Sequence, residues 1–110
     1  MKYPVFLQDR DKWVYIIESE SGLSFLEAID IENKEYIGWN VTGVPIDLYL
    51  DKGEIIIRTL SEMPQLEKLK KAILDYASIV NPKIPFSYYG NENDITDLFR
   101  AAERHRKTNK

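Results

Sequence analysis

From Trp13 to Arg58 the chain alternates apolar and polar positions in short runs broken by turn-forming residues, the period of half-buried β-strands. The run Tyr3-Pro4-Val5-Phe6-Leu7 precedes it, with a proline that suits an edge or a strand start. Trp13, Tyr15 and Ile17 alternate with Val14, Ile16 and Glu18, so this strand is apolar on both faces and is expected to be central or covered on both sides. Phe25, Glu27, Ile29 and Ile31 alternate with Leu26, Ala28 and Asp30, which predicts a third strand. Tyr36 to Val41 predicts a fourth, with Gly38 marking a bulge or a close backbone approach. Ile46, Leu48 and Leu50 share one face, Asp51-Lys52-Gly53 makes a three-residue turn, and Glu54 to Arg58 returns as the second arm of a hairpin. Turns this short imply antiparallel neighbours, because a parallel return needs a crossover of about a dozen residues or more.

After Leu60 the period changes. Ser61 is a suitable N-cap, Glu62 puts a negative charge in the first turn, and Pro64 falls where a missing amide hydrogen costs little. Leu66, Leu69, Ile73, Tyr76, Ala77 and Val80 then recur at helical spacing, with Glu67, Lys68, Lys70, Lys71 and Asp75 on the other side. Asn81 before Pro82 is the stop, so the helix is predicted over Ser61–Asn81. Pro82 to Asn93 reads as a loop carrying Phe86, Tyr88 and Tyr89. Asn93 or Asp94 caps a second, shorter helix with Ile95, Leu98, Phe99 and Ala102 on its apolar face. The expected fold is α+β: a curved antiparallel β-meander of five to six strands, covered on one face by one amphipathic helix, plus a short C-terminal helix. Residues 1–103 make one domain and residues 104–110 a basic, disordered tail.

Composition narrows the class. A chain of 110 residues with 44% hydrophobic and 30% charged positions has the balance of a soluble globule rather than a disordered or membrane chain. The absence of cysteine excludes disulfides, zinc thiolates and a thiol nucleophile. No apolar run nears the roughly 20 residues that span a bilayer, so a cytoplasmic location without membrane contact is expected. All 18 acidic residues lie at or before Glu103, while Arg104, Arg106, Lys107 and Lys110 crowd the end; the remaining 11 cations leave residues 1–103 at −7. An acidic body with a basic tail favours basic partners and disfavours nucleic acid.

No motif for catalysis is present. His105, the single histidine, lies between Arg104 and Arg106, with Glu103 its nearest carboxylate in sequence. Glu18, Glu20, Glu27, Asp30, Glu32 and Glu35 are dense but lack calcium-loop spacing with its central glycine, so they read as a solvated face, with no metal and no cofactor expected. Glu27, Asp30 and Asp47 would make an acid–base set only inside a cleft that raises one pKa.

The aromatics point elsewhere. Seven tyrosines and two tryptophans are many for this length, and both residues suit surfaces that are dry at one end and wet at the other. Trp13, Tyr15, Tyr36, Trp39 and Tyr49 lie on predicted strands, where packing is their ordinary role. Tyr49 has the opposite parity to Leu48 and Leu50, between Asp47 and Asp51. Glu27, Asp47, Tyr49, Asp51, Phe86, Tyr88 and Tyr89 are therefore the candidate partner-binding residues. The expected function is that of a small non-enzymatic protein-interaction module, inhibitor-like or immunity-like, binding a basic protein or a second copy of itself through an acidic, aromatic sheet face. The alternative is a small-molecule binder or enzyme with a pocket between sheet and helix.

Overall fold

The structure, a computed structural model, describes residues 2–108. Five strands form one antiparallel-paired sheet: β1 (Val5–Gln8), β2 (Val14–Ile17), β3 (Ile37–Asn40), β4 (Pro45–Asp51) and β5 (Glu54–Thr59), in the order β2-β1-β3-β4-β5. Three α-helices accompany them: α1 (Ala28–Glu32), α2 (Leu66–Val80) and α3 (Ile95–Arg106). The chain is thus α+β, with a long amphipathic helix on the sheet and a C-terminal helix beside it.

The expected strand over Phe25–Ile31 is instead a 3₁₀ helix (Glu20–Phe25) followed by α1. Leu23 and Ile31 are buried against the sheet with Leu26 half-buried beside them, whereas Phe25 and Ile29 are exposed. This segment changes the topology. β2 and β3 both pair antiparallel with β1 and so run parallel to each other. The nineteen residues from 18 to 36 supply the crossover that such a return requires. β2 is consequently an edge strand rather than a central one, with Val14 buried on one face, Ile17 buried on the other and Tyr15 40% exposed.

One face of the sheet carries Phe6, Val14 and Trp39, which pack under Leu69, Ile73, Tyr76 and Ala77 of α2 and Ile95, Leu98, Phe99 and Ala102 of α3. Phe99 ties the layers together, edge-on to Phe6 at 5.5 Å and stacked on Tyr76 at 5.9 Å. The opposite face carries Val5, Leu7, Ile17, Ile46 and Leu48 under Leu23 and Ile31. At about 1.5–3 kcal/mol for each fully buried aliphatic or aromatic side chain, both layers are substantial, and the sheet face expected to be bare is largely occupied.

Element ends differ from expectation in instructive ways. The Ser61 hydroxyl accepts from the Met63 amide in a turn, and α2 begins only after Gln65. Gln65 is held over the β3–β4 turn: its amide donates to the Gly43 carbonyl at 2.6 Å and its side chain accepts from Trp39 Nε1 at 3.3 Å. Gly43 has φ +85° and its Cα faces the backbone of Leu66, leaving no room for a side chain. The β4–β5 hairpin closes with two residues rather than three: Asp51 pairs with Glu54 across Lys52 (φ 52°) and Gly53 (φ 82°), the left-handed pair of a type I′ turn. Asp94 caps α3, its carboxylate accepting from the Asp97 amide at 3.1 Å. That helix takes in Arg104, His105 and Arg106, which the sequence reading places in a disordered tail; residues 109 and 110 lie outside the described residues.

Candidate functional site

The candidate residues do not converge. Asp47, Tyr49 and Asp51 share one face of β4 by parity, while Glu27 precedes α1 on the other side of the sheet, exposed. The Asp47 carboxylate is already matched within the chain, with Arg58 at 3.0 Å and Lys34 at 3.7 Å. The Arg58 guanidinium also lies over the Tyr49 ring, 4.7 Å from its centre. The β4–β5 face is therefore charge-balanced rather than acidic. Phe86 packs on the α2–α3 core and edge-on to His105 at 5.3 Å. Tyr88 donates its hydroxyl to Asp97 on α3, and that bond first, with burial second, pushes the hydroxyl up to about 12. Both pin their loop to α3, and only Tyr89, 95% exposed, projects freely.

His105 Nε2 is buried with no partner among the described residues. Glu103 is engaged elsewhere, accepting from the Tyr76 hydroxyl and from Arg106. Burial first and that hydrogen bond second raise the Tyr76 hydroxyl well above the ordinary tyrosine range. Among the described residues no group of three or more His, Asp or Glu is placed to hold a metal ion, and none of the helices is long and apolar enough to cross a membrane.

Acidic and aromatic character meet instead where the crossover lies against β2. A groove of ≈490 Å³ is lined by Tyr15, Ile17, Glu18, Phe25, Leu26 and Tyr36, among others. Tyr15 and Tyr36 stand edge to face, 6.1 Å apart. Tyr15 is 40% exposed and Phe25 88% exposed. Residues 9–36 hold eight carboxylates against three cations, a net −5 in one stretch of chain. The field of that stretch registers at the tyrosines. Burial, then the charges of Asp30, Asp9, Glu35 and Glu27, raise the Tyr36 hydroxyl. Burial and a 2.9 Å hydrogen bond to Asp9 push the Tyr15 hydroxyl up to about 12. Of the candidates named from sequence, Glu27 alone contributes here. Phe25 was missed because a strand pattern places it beside Glu27, whereas in the 3₁₀ helix it points to solvent.

Two further concavities frame the sheet. One of ≈520 Å³ lies where α2 begins, lined by Ile37, Trp39, Pro45, Leu60, Gln65 and Lys68 among others. The other, ≈630 Å³, runs between β2 and α3 and is bordered by Trp13, Val14, Ile16, Arg100, Glu103 and Arg104 among others. Comparison with family models, curated proteins and solved structures gave no match.

Proposed function

We propose that this chain is a non-enzymatic protein-interaction module of inhibitor-like or immunity-like type, which binds a basic partner through the groove formed by Tyr15, Phe25 and Tyr36. One observation carries this reading: exposed aromatic rings line a groove inside a segment of net charge −5. Aromatic faces attract Lys and Arg side chains by about 0.5–2 kcal/mol each, and the surrounding carboxylates steer such a partner in and fix its register. The location on the crossover side of β2 replaces the β4 face as the centre of contact, because Asp47 there is already neutralised. A cytoplasmic location accompanies this reading, since a cysteine-free chain gains nothing from an oxidising compartment.

The test is a titration of the labelled protein with a Lys/Arg-rich peptide and with its Glu-substituted counterpart, followed by nuclear magnetic resonance. The cationic peptide should shift Tyr15, Phe25 and Tyr36, and Phe25→Ala should weaken it about fivefold while leaving stability within about 0.5 kcal/mol, as expected of an exposed side chain. Shifts elsewhere, or equal response to the anionic peptide, would sink the reading; self-association at the same groove would appear as concentration dependence without any peptide.

A second reading has a specific feature behind it. The cleft at the start of α2 is mostly apolar, with Ile37 58% and Leu60 61% exposed, and the polar groups of Lys34, Asp47, Gln65 and Lys68 border it. That is the form of a small-molecule site between sheet and helix. Ligand-induced shifts confined to Trp39 and Gln65 would favour it.

A further inference from the structure

β2 ends the strand order, and among the described residues it pairs only with β1. The direction of its free groups follows from the register. The Asp9 amide donates to the Trp13 carbonyl at 3.0 Å, so Trp13 turns its main-chain polar groups toward β1. Successive residues of a strand alternate, and the antiparallel pairs Leu7–Tyr15 and Val5–Ile17 continue the hydrogen-bonded set. Val14 and Ile16 therefore turn their N–H and C=O groups outward, away from the sheet; both line the groove beside β2, Ile16 half-buried and Val14 only 3% exposed, so Ile16 is the more accessible of the two.

That edge opens on the ≈630 Å³ groove whose far wall is α3. Arg100 and Arg104 lie on one side of α3 by their i, i+4 spacing, Lys107 follows as its C-cap, and all three border the groove and are exposed. Arg100 reaches across to Glu18, just past the end of β2, at 3.7 Å. Arg106 is taken up by Glu103 at 2.8 Å. Arg104 and Lys107 have no carboxylate within ion-pair distance among the described residues. Cations thus border the same groove as an edge strand that carries unpaired main-chain donors and acceptors.

We propose that this groove is a docking site for an extended acidic segment of another protein, added to the sheet as a sixth strand beside β2. Main-chain pairing with Val14 and Ile16 supplies the register. Side chains of an added strand point alternately to the two faces of the sheet, so every second residue of the segment meets α3, and those positions carry Glu or Asp. The positions between them face the crossover side and are apolar or β-branched. A phosphodiester strand would satisfy the cations but has no main chain to pair with β2, which favours a polypeptide. The site lies across β2 from the groove of the proposed function and takes a ligand of opposite charge, so either stands or falls without the other.

The test uses the full chain and three hexapeptides: one alternating Glu with Val or Thr, one with Lys in place of every Glu, and one of the first composition rearranged into Glu-Glu pairs. The alternating acidic peptide should bind and slow amide exchange of Val14 and Ile16 at least tenfold. Its affinity should exceed that of both other peptides at least tenfold, and Arg100→Glu with Arg104→Glu should reverse the preference between the acidic and basic peptides. Reversal by peptide charge on the unsubstituted chain guards against a variant that folds poorly. Binding without slowed exchange at Val14 and Ile16, equal binding of the rearranged peptide, preference for a single-stranded oligonucleotide, or no binding by any peptide would each overturn the proposal.

Discussion

Gly38→Ala tests the close packing of β3 between β1 and β4. Gly38 lies in β3 between β1 and β4, and a Cβ there would meet Leu7 Cδ2 at 2.7 Å, Ile46 Cδ1 at 2.9 Å and the Phe6 carbonyl oxygen at 3.0 Å. Leu7 and Ile46 are 0% and 3% exposed, so their terminal methyl groups would have to shift within packed surroundings, and Phe6 O belongs to the sheet backbone. Overpacking of this kind costs typically about 1–3 kcal/mol. Against it stands a gain of about 0.4–1 kcal/mol from restricting the unfolded chain, leaving a net loss of about 1–2 kcal/mol. In a domain of this size that lowers the melting temperature by about 4 °C per kcal/mol. Urea unfolding should show a lower midpoint with an unchanged slope. A cycle with Ile46→Val sharpens the test: that change alone should cost about 0.5–1.5 kcal/mol, and less in the Gly38→Ala background, because it deletes one clashing methyl group. An unaltered midpoint together with strict additivity would refute the close approach of these three strands.

Two other consequences are open to measurement. Tyr76→Phe removes the hydroxyl that donates to the Glu103 carboxylate and should cost about 1.5 kcal/mol in chemical unfolding, the lower end for a bond to a charged group because Glu103 keeps Arg106; a loss below about 0.5 kcal/mol, the noise of a surface change, counts against a buried network. Alkaline titration has a definite sign: Tyr15 is raised from 10.0 to about 12 in the folded chain, so the stability linked to its proton is intact below pH 10 and lost as pH climbs toward 12. Tyrosinate absorbance should therefore lag behind free tyrosine, and Tyr15→Phe should shrink the fall in stability over that window; a titration matching free tyrosine would remove both the burial of Tyr15 and its Asp9 bond from the account.

Much of the sheet was legible because its signals are local. The β4–β5 hairpin, the apolar stripe of α2 and a cap at Asn93 or Asp94, which Asp94 supplies, each depend on a few neighbouring residues, and Gly38 marks a bulge or a close approach, of which Leu7 and Ile46 make the second. The crossover was not legible for the same reason. Phe25, Glu27, Ile29 and Ile31 keep strand parity, but burial follows Leu23, Leu26 and Ile31, the uneven spacing of a 3₁₀ turn running into an α-turn. The chain from Leu26 to Glu32 holds good helix formers, Leu, Glu and Ala, and nineteen residues suffice for a parallel return; either cue was available. The site suffered from that misreading, since Glu27 was grouped with Asp47 and Tyr49 across a sheet that separates them.

The charge division of the sequence acquires a different meaning in the fold. Read along the chain, Arg104 to Lys107 is a basic end appended to an acidic body, a tether free to reach any anion. Folded, Arg104 lies within α3, and the positive charges of its last turn sit where the negative end of the helix dipole favours them. The apolar face of α3 is fixed by Leu98, Phe99 and Ala102 in the core, which holds Arg100 and Arg104 beside β2. The carboxylates of Asp9, Glu27, Asp30 and Glu35 act on Tyr36 on the crossover side of the same strand. β2, only four residues long, thus divides a negative aromatic groove from a positive main-chain edge. At physiological ionic strength exposed charges act over about 8 Å, so each surface presents its own sign to a partner in contact with it. Rising salt should weaken cationic and anionic peptides alike, while the main-chain component at Val14 and Ile16 persists, and that residual binding separates strand addition from simple attraction to a row of arginines.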